Sequence, residues 1–151
     1  MREALRSARL GMRRGHGGPF GACLVRGRQI LAIAHNRVLQ KLDATCHAEI
    51  QAIREASRKL GTPFLEGAVI YSSTEPCPMC FSAIHWARIG RVVYGTAIRD
   101  VARRGFHELS ISNRRLRALG RSPVQLNPGF LLEECRELLA EWDRLPSKRT
   151  Y

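Results

Sequence analysis

The chain has 151 residues, 44% apolar and 25% charged, the balance of a globular protein rather than a disordered one. That length suits one domain over 1–151 whose core needs no disulfide staples, and no apolar run approaches the ~20 residues that would cross a bilayer. Twenty-five basic residues against 13 acidic ones give a net charge of +12, a field that favours anionic partners.

Residues 3–10 (EALRSARL) read as an opening helix. Their arginines stand without the apolar core or small-residue cleavage site of a secretory signal, so a cytoplasmic location and no membrane partner are expected. Phe20 to Val25 and Gln29 to Asn36 are strand-like runs joined by Arg26-Gly27-Arg28, a hairpin. A loop from Arg37 to Thr45 leads into a helix over Cys46–Leu60, whose Ile50, Ile53, Ala56 and Leu60 recur at helical spacing and mark its expected core face. Gly61-Thr62-Pro63 ends that helix. Gly67 to Ser73 is a buried-type strand, Pro76 to Arg88 a second helix and Arg91 to Thr96 another strand. Helical segments follow within 99–120, then a short strand over Val124–Asn127 and a closing amphipathic helix over Phe130–Leu145. Strands and helices in that order predict a three-layer α/β/α sandwich with a mixed sheet.

The five cysteines, Cys23, Cys46, Cys77, Cys80 and Cys135, are odd in number and do not form a disulfide framework. Cys77-Pro78-Met79-Cys80 opens a helix. A three-residue step there puts both sulfurs on one face, and the helix N-terminus favours thiolates. Thirty residues upstream His47-Ala48-Glu49 opens another helix. A redox pair needs no such histidine, and a structural zinc site needs a fourth ligand that no second C-x-x-C or H-x₃-H supplies. Cys46 is ill placed to be that ligand, because adjacent helical residues point about 100° apart. His47, Cys77 and Cys80 therefore predict one zinc ion per chain with a position left open for water. Glu49, two residues beyond a ligand, is the expected proton carrier. H-x-E followed by P-C-x-x-C is the signature of zinc deaminases, and here it reads His47-Ala48-Glu49 and Pro76-Cys77-Pro78-Met79-Cys80.

These residues resemble the cytidine deaminase-like zinc hydrolases, and the resemblance covers essentially the whole chain. It implies a five-stranded mixed sheet between helices, with both zinc-binding helices on one face, and a homodimer. Pro-Phe-Gly-Ala at 19–22, Thr45 with His47-Ala48-Glu49, and Glu75 to Cys80 look like the purine-handling branch, which holds guanine deaminases and tRNA wobble-adenosine deaminases. Through those motifs Phe20, Ala48 and Glu75 are expected at the substrate. Asn36 matches an asparagine whose amide pairs with a purine edge. Trp86 matches a tryptophan used as an aromatic wall, and Glu108, in Gly105-Phe106-His107-Glu108, an acid that reads the N–H groups of guanine. Tyr151 matches a tyrosine that lids the pocket, often from the partner subunit.

The favoured substrate is thus a small purine, guanine going to xanthine and ammonia. Cys46 stands where the family usually has alanine, and His107 where an acid is common. The alternatives are a tRNA wobble-adenosine deaminase, a cytosine or nucleoside deaminase, and a zinc-stabilised nucleic-acid-binding module without activity. Seven basic residues against two acidic ones in 99–121 speak for nucleic acid. Against it, Phe106 is the one aromatic among Arg103, Arg104, Arg114, Arg115 and Arg117, where a stacking groove would interleave several.

Overall fold

The structure is a computed structural model describing residues 1–151. Five strands lie in the order β2-β1-β3-β4-β5: β1 (Gly21–Arg26), β2 (Gln29–His35), β3 (Ala68–Thr74), β4 (Arg91–Thr96) and β5 (Gln125–Asn127). β1 is antiparallel to both β2 and β3, whereas β3, β4 and β5 run parallel. The sheet is mixed, and its parallel half points the C-terminal ends of β3 and β4 to one edge, where open α/β sheets place their sites.

Seven helices cover it: α1 (Arg2–Arg13), α2 (Val38–Lys41), α3 (Ala48–Leu60), α4 (Pro78–Trp86), α5 (Ile98–Ala102), α6 (Asn113–Leu119) and α7 (Leu132–Asp143). α3 and α4 pack on one face through a core of Ala48, Ala52, Ala56, Phe81 and Ile84 against Leu24, Ile70 and Val92. α1 and α7 close the other face with Leu5, Ala8, Met12, Leu138, Leu139 and Trp142. This is the three-layer sandwich expected from the sequence.

Two local expectations are corrected. The 37–45 segment, read as loop, contains the four-residue α2, too short for a periodic signal. The buried stripe of α3 is Ala48, Glu49, Ala52 and Ala56, while Ile50, Ile53 and Leu60 are only half-buried flanks. Alanines let the helix lie close on the sheet, so the larger side chains ride at its edges and the apolar period alone pointed slightly off axis.

Candidate metal and substrate site

Both motifs sit where a strand or loop turns into a helix. His47 is the N-cap of α3 and Cys77 the N-cap of α4, each with extended backbone, and α4 carries Pro78 in its first turn, where a missing N–H costs nothing. One turn into α4 Cys80 is fully buried. Nδ1 of His47 lies 3.6 Å from Sγ of Cys77, and the ligand atoms of His47, Cys77 and Cys80 all lie within 4.8 Å of one another.

Glu49 is 5% exposed, packed beneath this cluster. Its Oε1 accepts a hydrogen bond from the Ser72 hydroxyl at 2.8 Å, and its Oε2 lies 3.6 Å from Cys80 Sγ. Ser72 was not anticipated from the sequence. Its signal was a polar residue at an inward position of a strand otherwise built for the core.

The charges of these groups are interlocked. The Cys77 thiol is pulled down to about 4 by the hydrogen bond from Cys80, by His47 and by a backbone N–H, against the opposing effect of burial. Cys80, giving its proton toward Cys77 and fully buried, is pushed well up. Burial disfavours the His47 imidazolium, yet Cys77, Glu49 and Glu108 outweigh it and its proton affinity rises. Burial raises the Glu49 carboxyl, with His47 and Ser72 acting against it. Two sulfurs and an imidazole converging this closely, one thiol already favouring its anion, are a soft donor set with room for a single cation, and they fit zinc.

Beside the cluster lies a cavity of about 350 Å³, within the range of small-molecule sites. His47, Cys77 and Met79 form its metal side. Phe20, Phe106, Glu108 and Tyr151 line it as well, together with Val38 and Leu109. The Phe20 and Phe106 rings meet edge to face at 5.1 Å, and Tyr151 stands edge-on to Phe106 at 5.5 Å. Tyr151 is moored twice: its hydroxyl accepts the Gly18 N–H at 3.1 Å, and its carbonyl accepts the His107 N–H at 3.0 Å. Burial raises the Glu108 carboxyl, and the neighbouring Cys77 and Glu49 add to the effect.

Asn36 is fully buried. Its Oδ1 accepts the Val38 N–H at 3.1 Å, while its amino group has no protein partner. Ala48 is buried in the first turn of α3 between His47 and Glu49, its methyl group in the core against the sheet.

Two of the residues expected at the substrate lie away from this cavity. Glu75 is not on the cavity: Oε1 accepts the Asn113 N–H at 2.8 Å and Oε2 the Ile98 N–H at 3.3 Å. With both oxygens engaged it fastens the starts of α5 and α6 to the β3–α4 turn. Trp86 is not on the cavity either. It ends α4 six residues beyond Cys80, about 9 Å further along the axis at 1.5 Å per residue. It is 77% exposed and borders surface grooves with Phe81, Leu116 and Leu119 on one side and Phe64 on another.

A mixed five-stranded sheet with His/Cys/Cys at two helix N-termini, and a buried glutamate beneath them, defines the zinc-type deaminases. Residues 1–96 match the family model described as the cytidine and deoxycytidylate deaminase zinc-binding region. The chain belongs to that family and is a zinc-type deaminase of the cytidine deaminase superfamily. It is 43% identical over 108 residues to the guanine deaminase of Bacillus subtilis (strain 168), covering 72% of this chain and 69% of that protein. It is 42% identical over 95 residues to the tRNA-specific adenosine deaminase of the same organism, covering 63% of this chain but only 58% of the relative's length. Among solved structures, the guanine deaminase from Nitrosomonas europaea superposes with a TM-score of 0.85 at 28% identity, over 94% of this chain and 81% of its own. A structure from work on tRNA:A34 deaminases gives 0.80 at 33% identity, over 91% and 96%. No helix is long and apolar enough to cross a membrane.

Proposed function

We propose that this chain hydrolyses the exocyclic amine of a free purine base, guanine to xanthine and ammonia. The observation that carries the reading is Glu108, an acid on the wall of a small cavity it shares with His47 and Cys77 and over which Tyr151 closes. Guanine presents adjacent N–H donors on one edge, and a carboxylate is acceptor-only when ionised, so Glu108 is matched to guanine and mismatched to the bare ring nitrogen of adenine. The unpartnered amino group of Asn36 is a donor for an acceptor atom of the base, and Phe20 packs on its ring.

His47, Cys77 and Cys80 hold the zinc, which when bound supplies a Lewis acid that makes water nucleophilic near neutral pH. Glu49 takes a proton from the attacking water and passes it to the ring nitrogen beside the carbon under attack. It then carries the second proton to the departing amine, so water and aminopurine become oxopurine and ammonia. Ser72 holds Oε1 of Glu49, which leaves Oε2 on the metal side for that traffic.

The second reading, a tRNA wobble-adenosine deaminase, draws on the relatives at similar identity and on Arg114, Arg115 and Arg117 along α6. The test is to compare ammonia release from guanine with that from a tRNA anticodon stem-loop.

The apolar patch around Trp86, with Leu119 at 74% and Phe64 at 43% exposure, suits pairing of two chains. Sedimentation should find a two-chain particle that Trp86→Glu converts to single chains. A single chain in the unmodified protein would remove this role from the patch.

A further inference from the structure

Away from the metal a line of polar side chains joins α2, the glycine turn after α1, β2 and α1 itself. We infer that His16 and His35 form a one-directional hydrogen-bond relay that fixes the Gly17-Gly18 loop and, through it, the closure of Tyr151 over the cavity. They are positioning residues for substrate enclosure, an inference that rests on the reading of that cavity as the base pocket.

The direction follows from donors and acceptors. The guanidinium Nε of Arg37 donates to Oε1 of Gln40, which turns the amino group of Gln40 toward Nε2 of His16, 3.2 Å away. An amide nitrogen can only donate, so Nε2 of His16 is bare and its proton sits on Nδ1. That N–H donates to Nε2 of His35 at 2.9 Å, which must be bare in turn. The proton of His35 is then on Nδ1, donating to the Ser7 hydroxyl at 3.1 Å. Both rings are neutral and have one tautomer each. A proton added to either ring sets one N–H against another and breaks the line.

The surroundings favour the neutral pair. The charged groups facing it are Arg14, in the turn after α1, and Arg37, before α2, while Ser7 and Gly11 face it from α1 without charge. Burial, then the neighbouring His16 ring and then Arg37 and Arg14 hold His35 at about 4, while burial with Arg37 and Arg14 lowers His16. Because the folded state binds these protons less readily than the unfolded chain, the relay's contribution is whole above the ordinary value of 6.5. It is lost as the pH falls toward 4.

The loop transmits the relay to the cavity. The rings stack at 5.2 Å, and Gly11 lets α1 settle on His35, where any side chain would strike the ring. The His16 carbonyl accepts the Gln40 N–H at 3.0 Å, so His16 is held by backbone and ring together. A side chain at Gly17 would run into the Asn36 amide, and one at Gly18 would meet Phe20 and Phe106. The next contact is the Gly18 N–H on the Tyr151 hydroxyl.

The test uses the full zinc-loaded chain labelled with nitrogen-15. Near neutral pH, both rings should carry the proton on Nδ1 and show a bare Nε2. Gln40 is exposed, and Gln40→Glu puts an acceptor against Nε2 of His16, reversing or protonating the line without touching the fold. The Gly18 and His107 amides should then exchange with solvent about tenfold faster, the scale of one lost hydrogen bond, and KM for the base should rise more than kcat falls. His16→Asn, which keeps a donor toward His35, should retain their protection. Nε2–H on either ring of the unmodified protein, or unchanged exchange in Gln40→Glu, would overturn the relay. Tautomers and exchange rates are read without substrate, so a failure of guanine as the substrate is told apart from a failure of the relay.

Discussion

Glu49→Gln is expected to lower kcat by about 10²–10⁴, the range supplied by a positioned acid–base group, with about one zinc still bound per chain. The substitution keeps the size of the side chain and an acceptor for the Ser72 hydroxyl, so it removes proton transfer and little else. Glu49→Ala should lose activity as fully, and in addition about 1–2 kcal/mol of stability, because it leaves a cavity and an unpartnered buried hydroxyl. Metal analysis and ammonia release on the same samples separate the possibilities. Full turnover in Glu49→Gln would remove Glu49 from the chemistry. Lost activity together with lost zinc would make it part of the metal's support instead.

Glu108→Gln carries the second large effect, on selectivity rather than on chemistry as such. A site built to accept N–H groups holds its substrate through a charged acceptor, and exchanging that acceptor for an amide should cost about 3 kcal/mol of transition-state binding, or roughly 10²-fold in kcat/KM for guanine. The loss should be smaller for a purine lacking those N–H donors. Glu108 lines the cavity without being one of the His47, Cys77 and Cys80 ligand set, so zinc content should stay at about one per chain, and metal analysis of the variant checks it. A loss below threefold would place Glu108 outside base recognition.

How much of this was legible in the sequence depends on the distance over which each feature is encoded. His47-x-Glu49 and Cys77-x-x-Cys80 are local: spacing on a helix decides what faces the metal, and the folded chain gathers those ligand atoms within 4.8 Å. The sheet was also legible, because its strands are short apolar runs bounded by glycines and turns. Trp86 shows the limit of a motif match made without following the helix. Six residues beyond Cys80 at 100° each is about 240° around the axis, so the indole points away from the metal side. Glu75 shows another limit, since its partners Ile98 and Asn113 lie more than twenty residues downstream and nothing near it announces them. Ser72 and the Gly17-Gly18 loop reach the site only through tertiary packing. The His16–His35 pair was legible as two histidines but not as a pair, because the ring-to-ring contact spans the gap between a turn and a strand.

The most direct measurement is ammonia release by the zinc-loaded chain, run in parallel on guanine, guanosine, adenine, adenosine, cytosine, cytidine and a tRNA anticodon stem-loop. The expected result is turnover of guanine to xanthine with none on the stem-loop, which assigns selection of the base to Glu108 and Asn36 inside the Tyr151-closed cavity. Turnover confined to the stem-loop would contradict it, and would give the arginines of α6, rather than Glu108, the task of selecting the substrate.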